Sequence, residues 1–436
     1  MSDRTKVLLT EGSSSSARQA LYSLSNYLVD VVDPAPLCQC RFSSLVSKWY
    51  RCPRYSEDPA AYVSFLAQRI AGNDYDVLLP THEQVYLLSY FREAFSKRVG
   101  LAVPDFEAVR RTQSKVEFAK LLEELNLSAP ATRVISSRGE LDSVKQFPCF
   151  LKLAHSTAGM GVKPVNNESE LKQAYDQFVA DGMIEHHAEV LVQQPAQGTP
   201  GVVQSVFQHG RLLAAHCSEP RLVGLGGGQM IRVSARHPSV REDLEQFGDH
   251  LGWHGALFLD YFQDADTGRI EYVEANPRLG ETLSARLSGV NLCKVLVEVS
   301  LGHTLDPAGI TEQGVWSHNG FQVLLARAIQ GANRRRLISE AWQLARGTGV
   351  YENCENETTR LAEDWMSFIP ATAVFAQLLF RPKLASHIVD STVRNYALPA
   401  AGVQRIESLP RDLAESCFEG LHAGGRKPAK NSENRR

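Results

Sequence analysis

The sequence predicts an α/β (α+β) protein of two or three domains that opens on a parallel sheet. Three observations carry that prediction. The chain has 436 residues, too many for one ordinary hydrophobic core. Up to residue 80 it alternates short apolar runs with helix-length segments, the pattern of βαβ units. From Pro148 to about residue 276 strand signals dominate, and a largely helical remainder follows.

The elements follow in order. "KVLLT" (6–10) is a short buried strand. "EGSSSS" (11–16) lacks both G-x-x-x-x-G-K-[ST] and G-x-G-x-x-G, so it reads as a polar turn capping a helix from Ala17 rather than as a phosphate loop. "YLVDVVD" (27–33) is a second strand, and a helical stretch over 58–71 leads to a third, "DVLLP" (76–80). In "SKVEFAKLLEELNLSAP" (114–130) Ser114 caps a helix, Glu117 stands three residues later, and Phe118, Leu121, Leu122 and Leu125 form its apolar stripe. "WMSFIPATAVFAQLLF" (365–380) is uncharged but shorter than a spanning helix and interrupted by Pro370; it reads as a buried helix or a partner-facing surface, not a membrane span. "NRRRLI" (333–338) is a solvated basic helix face, and the polar tail from about 423 is expected to be disordered.

Composition removes several classes of function. Net charge is -3, so no global basic field points to nucleic acid. The eight cysteines are scattered, with no C-x-x-C and no zinc spacing, which fits reduced thiols in a cytoplasmic protein. No Ser-His-Asp or Cys-His signature is evident.

The chemistry concentrates in four stretches. "GALFLDYFQDADTGRIEYVEANPR" (255–278) reads as a hairpin, with Gly268 in the left-handed position that closes its turn. Centring the turn on Thr267 sets Asp260 opposite Glu274. Opposed carboxylates repel on a bare sheet, whereas a divalent cation reverses the sign. Asp260, Glu274 and Asn276 are hard oxygen ligands suited to Mg²⁺; the alternative is a solvated charged face. An EF-hand is excluded, because Ala275 stands where the closing glutamate belongs.

In "FPCFLKLAHSTAGMGV" (147–162) a strand holds Lys152 among apolar neighbours, where its ammonium needs an anionic partner. The loop that follows offers backbone N–H groups to phosphates, with Gly159 and Gly161 permitting close approach. "AEVLVQQPAQG" (188–198) runs a strand into Gln193-Gln194-Pro195, whose backbone can read an adenine edge; taken alone it is an edge strand with a turn. "RLVGLGGGQMIRVSARHP" (221–238) places glycines between two strands, which fits a loop over a site and not a dinucleotide fingerprint. Arg232 on the next strand is either a site residue or a surface charge.

Together these residues resemble the ATP-grasp superfamily over roughly residues 1–305. Asp260 followed by Glu274, Asn276 and Arg278 looks like its closing signature, Glu-x-Asn-Pro-Arg. Lys152 with Ser156, Gly159 and Gly161 matches its phosphate strand and flap, Lys115 its earlier nucleotide-contacting lysine, and Val192, Gln193 and Gln194 its adenine hinge. "PTHEQ" (80–84) matches a segment that often lies near the acceptor pocket. The family often carries an acidic residue near the hinge for ribose; "QQPAQGTPG" (193–201) has none.

The resemblance implies a pre-ATP-grasp α/β domain (1–108), an ATP-grasp domain (109–305) with its lid at about 130–195, and a mixed, largely helical C-terminal region (306–436). It implies ATP with Mg²⁺, or Mn²⁺ in its place, and small-molecule carboxylate and amine substrates joined through an acylphosphate. Arg278 and Arg232 would act at the reacting groups. The chain most resembles stand-alone carboxylate–amine ligases of the carbamoyl-phosphate-synthase-like plan. No nucleic acid and no membrane span are expected; a homodimer is one use for the C-terminal region, and closure of the acceptor pocket is the other. The alternatives are carboxylation, carboxylate phosphorylation, or nucleotide binding without catalysis.

Overall fold

A computed structural model describes residues 4–157, 159–184, 189–224, 228–307, 311–357 and 363–423. Ala158, the centre of the glycine-rich loop (225–227) and the tail from 424 lie outside the described residues. Three sheets organise the chain. The first comprises β1 (Lys6–Thr10), β2 (Leu28–Asp33), β3 (Val46–Arg51) and β4 (Val77–Leu79), all parallel, in the order β3-β2-β1-β4. A parallel sheet is covered on both faces. Val7 and Leu9 accordingly pack with Ala17, Ala20 and Leu21 of helix Ser15–Ser23, while Leu8 faces Tyr62 and Leu66 of helix Pro59–Ala71. "EGSSSS" is the capping turn: the Ser14 side chain accepts from the Ala17 N–H. The edge strand β3 gave no sequence signal, because "VSKWYR" is exposed or half-buried along its whole length.

The second sheet is antiparallel, with β5 (Thr132–Ile135), β6 (Cys149–Leu153), β7 (Val162–Val165) and β8 (Val190–Gln193) in the order β5-β8-β6-β7. Helix Glu168–Ala180 lays Leu171, Tyr175 and Phe178 on Leu151, Leu153, Val190 and Val192. β8 is therefore an interior strand, a correction to the edge-strand reading of 188–198.

The third sheet has seven strands: β9 (Thr199–Gln208), β10 (Arg211–Val223), β11 (Gln229–Ala235), β12 (Gly255–Gln263), β13 (Ile270–Asn276), β14 (Trp316–His318) and β15 (Glu355–Asn356), in the order β13-β12-β9-β10-β11-β14-β15. Its core face carries Leu257, Leu259 and Tyr261 against Tyr272, Phe247 and Trp253.

Residues after 305 serve both earlier units. β14 and β15 extend the third sheet, and the last two helices, Ala400–Glu407 and Leu413–Ala423, place Val403, Ile406, Ala414 and Phe418 in the core of the first. The apolar stretch at 365–380 forms helix Phe368–Phe380. Pro370 lies in its first turn, where proline is tolerated, so it does not interrupt the helix. Only Leu378 of that helix is buried, while Ile369 and Phe380 are exposed, so the buried-helix alternative does not hold. Among the described residues no helix is long and apolar enough to cross a membrane. All eight cysteines are free thiols.

Candidate active site

The β12–β13 hairpin sets Asp260 opposite Glu274, as the turn arithmetic expects, but by a different route. Near the turn the ladder pairs Gln263 with Ile270 and Tyr261 with Tyr272; Val273 is then an extra residue, and the next pair is Asp260 with Glu274. This β-bulge has a consequence for the faces. In strict alternation Tyr272, Glu274 and Asn276 would share one side, and Tyr272 is buried in the core. The bulge reverses the parity, so that Ala275 joins Tyr272 in the core while Glu274 and Asn276 turn to the open face beside Asp260. Gly268, at φ 71, closes the turn as expected.

Two lysines face these carboxylates. Lys115 opens helix Lys115–Glu124, whose start is held by Ser114 and by the Lys115 N–H donating to the Ala154 carbonyl at 2.9 Å. Its Nζ lies 3.1 Å from Glu274 Oε1 and donates to Ser156, at 3.1 Å to the carbonyl and 3.3 Å to the hydroxyl. Lys152, on β6, donates to Gln193 Oε1 at 2.6 Å. Burial lowers its ammonium to about 8, with Glu274 and Asp260 opposing the shift and Lys115 adding to it. Asp260 is pushed up, first by burial and next by Glu274, against the pull of Arg278, Lys115 and Lys152. In this loop Gly159 takes φ 75, and a Cβ on Gly161 would stand 2.4 Å from that of Ser156, so only glycine fits there.

At the hinge, Val192 pairs with Arg133 and Leu151 on its two sides, and the Gln194 N–H donates to the Ala131 carbonyl. Free backbone for an adenine edge therefore begins beyond the Gln194 N–H. The Gln193 side chain, unremarked in sequence, bridges Lys152 and the Thr132 hydroxyl.

Asp260, Glu274 and Asn276 suit a magnesium ion only as an open set. Among the described residues no three His, Cys, Asp or Glu side chains gather, and the hairpin offers two carboxylates and one amide. That suits a cation that takes its other ligands from phosphates and water. Asn276 currently presents Nδ2 toward Asp260 at 3.5 Å and gives Oδ1 to Arg278, so cation binding requires its amide to turn over.

Arg278 reaches away from the hairpin to Glu83, Nε to Oε1 at 3.1 Å, and Gln113 donates to the other Glu83 oxygen at 2.7 Å. Glu83 is 1% exposed. Burial raises its carboxyl, but Arg278 and its other partners hold it down at about 2. Its ionised form is thus stabilised by folding: the contribution is complete above the ordinary value of 4.5 and is lost as pH falls toward 2. Arg278→Met leaves this carboxylate buried and unpaired, and we expect a loss of about 3–5 kcal/mol at pH 7. Urea melts at pH 7 and pH 3 check this, since protonating Glu83 should shrink the deficit.

Arg232 is 4% exposed, which corrects the surface-charge alternative. It pairs with Glu281, and its Nε faces Glu357 Oε1 at 2.9 Å. Glu281 also accepts from Asn319 and Gln322, and Glu357 from Gln19 and Ser317. This knot ties all three parts of the chain together. Sequence reading missed Glu281 and Glu357 as partners and singled out Glu83 only as part of "PTHEQ". It also missed His155, a loop imidazole lowered to about 4 by burial and by Lys115.

No family model matches the chain. It is 25% identical over 221 residues to the carbamoyl phosphate synthase large chain of Deinococcus deserti, covering 47% of this chain and 21% of that protein. It is 24% identical over 267 residues to that of Thermotoga neapolitana, covering 56% and 24%. The alignment thus spans under a quarter of either relative. Among solved structures it resembles N5-carboxyaminoimidazole synthetase from Staphylococcus aureus complexed with ADP (TM-score 0.60, 13% identity, 82% of this chain and 91% of that one). It also resembles biotin carboxylase from Campylobacter jejuni (0.57, 17%, 71% and 74%) and L-amino acid ligase from Bacillus licheniformis (0.53, 14%, 70% and 76%). At such identities the structural likeness is one of fold. Fold and sequence matches together support the resemblance to the ATP-grasp superfamily.

Proposed function

We propose that the chain is an ATP-dependent, ADP-forming ligase that joins a carboxylate to an amine through an acylphosphate. The observation that carries this reading is the rung at which Asp260 opposes Glu274, with two substantially buried lysines facing it. Phosphoryl transfer asks mainly for positioning and neutralisation of charge. Lys115 and Lys152 supply positive charge for the nucleotide phosphates. Arg278 stands between the hairpin and the crevice of the first sheet, where it can orient a carboxylate. The Ser156–Gly161 loop covers the phosphates and excludes water. Asp260, Glu274 and Asn276 would hold a divalent cation, which would supply neutralisation of the charge that develops on the phosphates.

The substrate carboxylate attacks the γ-phosphorus, the bond to the bridging oxygen breaks, and ADP leaves. The amine then attacks the acyl carbon, phosphate departs with the C–O bonding electrons, and the nitrogen loses a proton. Domains at 1–108, 109–305 and 306–436, with the lid at 130–195, are the division this reading uses. Carboxylation is the second reading, since the fold is shared with a biotin carboxylase. Substrate carboxylate carrying oxygen-18 separates the two. Ligation is expected to deliver one labelled oxygen to the released phosphate; unlabelled phosphate overturns the proposal.

A further inference from the structure

The carboxyl ends of β1 and β4 meet at one crevice. The Thr81 hydroxyl donates to the Thr10 carbonyl at 2.8 Å, which sets residue 11 beside residues 81–84. With the order β3-β2-β1-β4, this is the point where the winding of the sheet reverses, and open parallel sheets bind ligands there.

Glu11 occupies that crevice in an unusual state. It is 1% exposed, its backbone is left-handed at φ 57, and its Oε2 has no hydrogen-bond partner among the described residues. A left-handed glutamate costs about 1 kcal/mol or more, and a buried unpaired carboxylate costs more still. Burial pushes its carboxyl well up, and Asp33 adds to the shift. Further buried polar atoms on the neighbouring elements are also unpartnered among the described residues: the Tyr62 hydroxyl, which lies in the field of Glu11, and both amide atoms of Gln84. Such groups are almost always satisfied in a folded protein, so their concentration marks a place for a polar ligand.

The crevice is closed from the far end of the chain. Tyr396, the last residue of helix Leu384–Tyr396, stacks on His82 with ring centroids 3.8 Å apart. Its hydroxyl stands in the fields of Arg278, Glu83, Glu281 and Glu11. The Tyr396 hydroxyl thus feels the charges both of Arg278, beside the hairpin, and of Glu11. Glu83 is matched by Arg278 and Glu281 by Arg232, while among the described residues no cation pairs with Glu11.

We propose that Glu11 receives the ammonium group of the amine substrate in a pocket closed by Tyr396 of the C-terminal region. A primary ammonium fits because it brings both the missing positive charge and several N–H donors. The assignment rests on the ligase reading for its meaning, but its test is one of binding alone. The full chain is titrated calorimetrically with straight-chain alkylamines and the twenty L-amino acid amides, each beside its N-acetyl form. At least one free amine should bind about 10- to 100-fold more tightly than its acetylated form, the worth of a charge-assisted hydrogen bond. Glu11→Gln, which keeps the shape of the side chain, should erase that preference while the melting temperature stays close to that of the wild type, which shows that the variant folds. Equal binding of free and acetylated forms, no amine binding in the wild type, or an unchanged preference in Glu11→Gln each overturns the proposal. If the preference holds but no acid supports ADP formation, the ammonium site stands and the ligase reading falls.

Discussion

Glu274→Gln should lose ATP turnover by about 10³-fold or more while remaining folded. The substitution keeps the shape of the side chain and removes one charge from the rung shared with Asp260. Two opposing effects act on stability. The 3.1 Å pair with Lys115 is weakened, and the repulsion that helps push Asp260 up is relieved. The net change is expected to stay within about 1–2 kcal/mol. Turnover does not share that compensation. Removing one preorganised charge-stabilising contact costs about 10²–10³, and removing a main charge-neutralising group in phosphoryl transfer costs about 10³–10⁵. Steady-state ADP release beside a thermal melt checks both halves. A folded variant with wild-type turnover would remove Glu274 from the site.

Deleting Ala275 should unfold or silence the protein, whereas deleting Val273 should be tolerated. Without Val273 the ladder is continuous: the pair Tyr261–Tyr272 is followed directly by Asp260–Glu274, and plain alternation keeps Tyr272 in the core and Glu274 and Asn276 on the open face. That deletion should cost about 1–2 kcal/mol with turnover retained. Deleting Ala275 instead brings Asn276 opposite Leu259, into the core face beside Tyr272, and takes its amide away from Asp260. An amide is then buried without a partner, a loss of about 3 kcal/mol or more. Chemical denaturation and ADP release measured on both variants check this. A Val273 deletion that unfolds, or a stable and active Ala275 deletion, would show that the parity argument fails.

These two expectations also mark how far the sequence could be read. Asp260, Glu274 and Asn276 were legible as a set, because a hairpin turn converts sequence distance into cross-strand pairing. The bulge was not legible, since no residue type announces it. The strict alternation that made Glu274 and Asn276 share a face would also have placed Tyr272 with them. Lys115 and Lys152 were legible from a capped helix and an apolar strand, but their partners were not. Gln193 was read for its backbone, whereas its side chain holds Lys152.

What escaped altogether lies far apart in the chain. Arg232 reads equally well as a surface charge until Glu281 and Glu357 are brought to it from 49 and 125 residues away. Tyr396 gave no signal, and its helix reaches His82 only because the last two helices fold back on the first sheet. Glu11 sat in a segment read as a capping turn. That reading was right for Ser14 and silent about the residue three positions earlier. The strand β3 was missed for a related reason: an edge strand, exposed or half-buried throughout, leaves no alternation to read.

The central claim is that the Asp260–Glu274 rung holds the divalent cation that serves the nucleotide phosphates. Manganese reports on it directly as a paramagnetic stand-in for magnesium. Electron paramagnetic resonance of the wild-type chain with ADP and Mn²⁺ should reveal protein-immobilised Mn²⁺, and Asp260→Asn, isosteric and folded, should return that signal to the spectrum of Mn²⁺–ADP in solution. An Asp260→Asn variant that immobilises Mn²⁺–ADP as the wild type does would contradict the account.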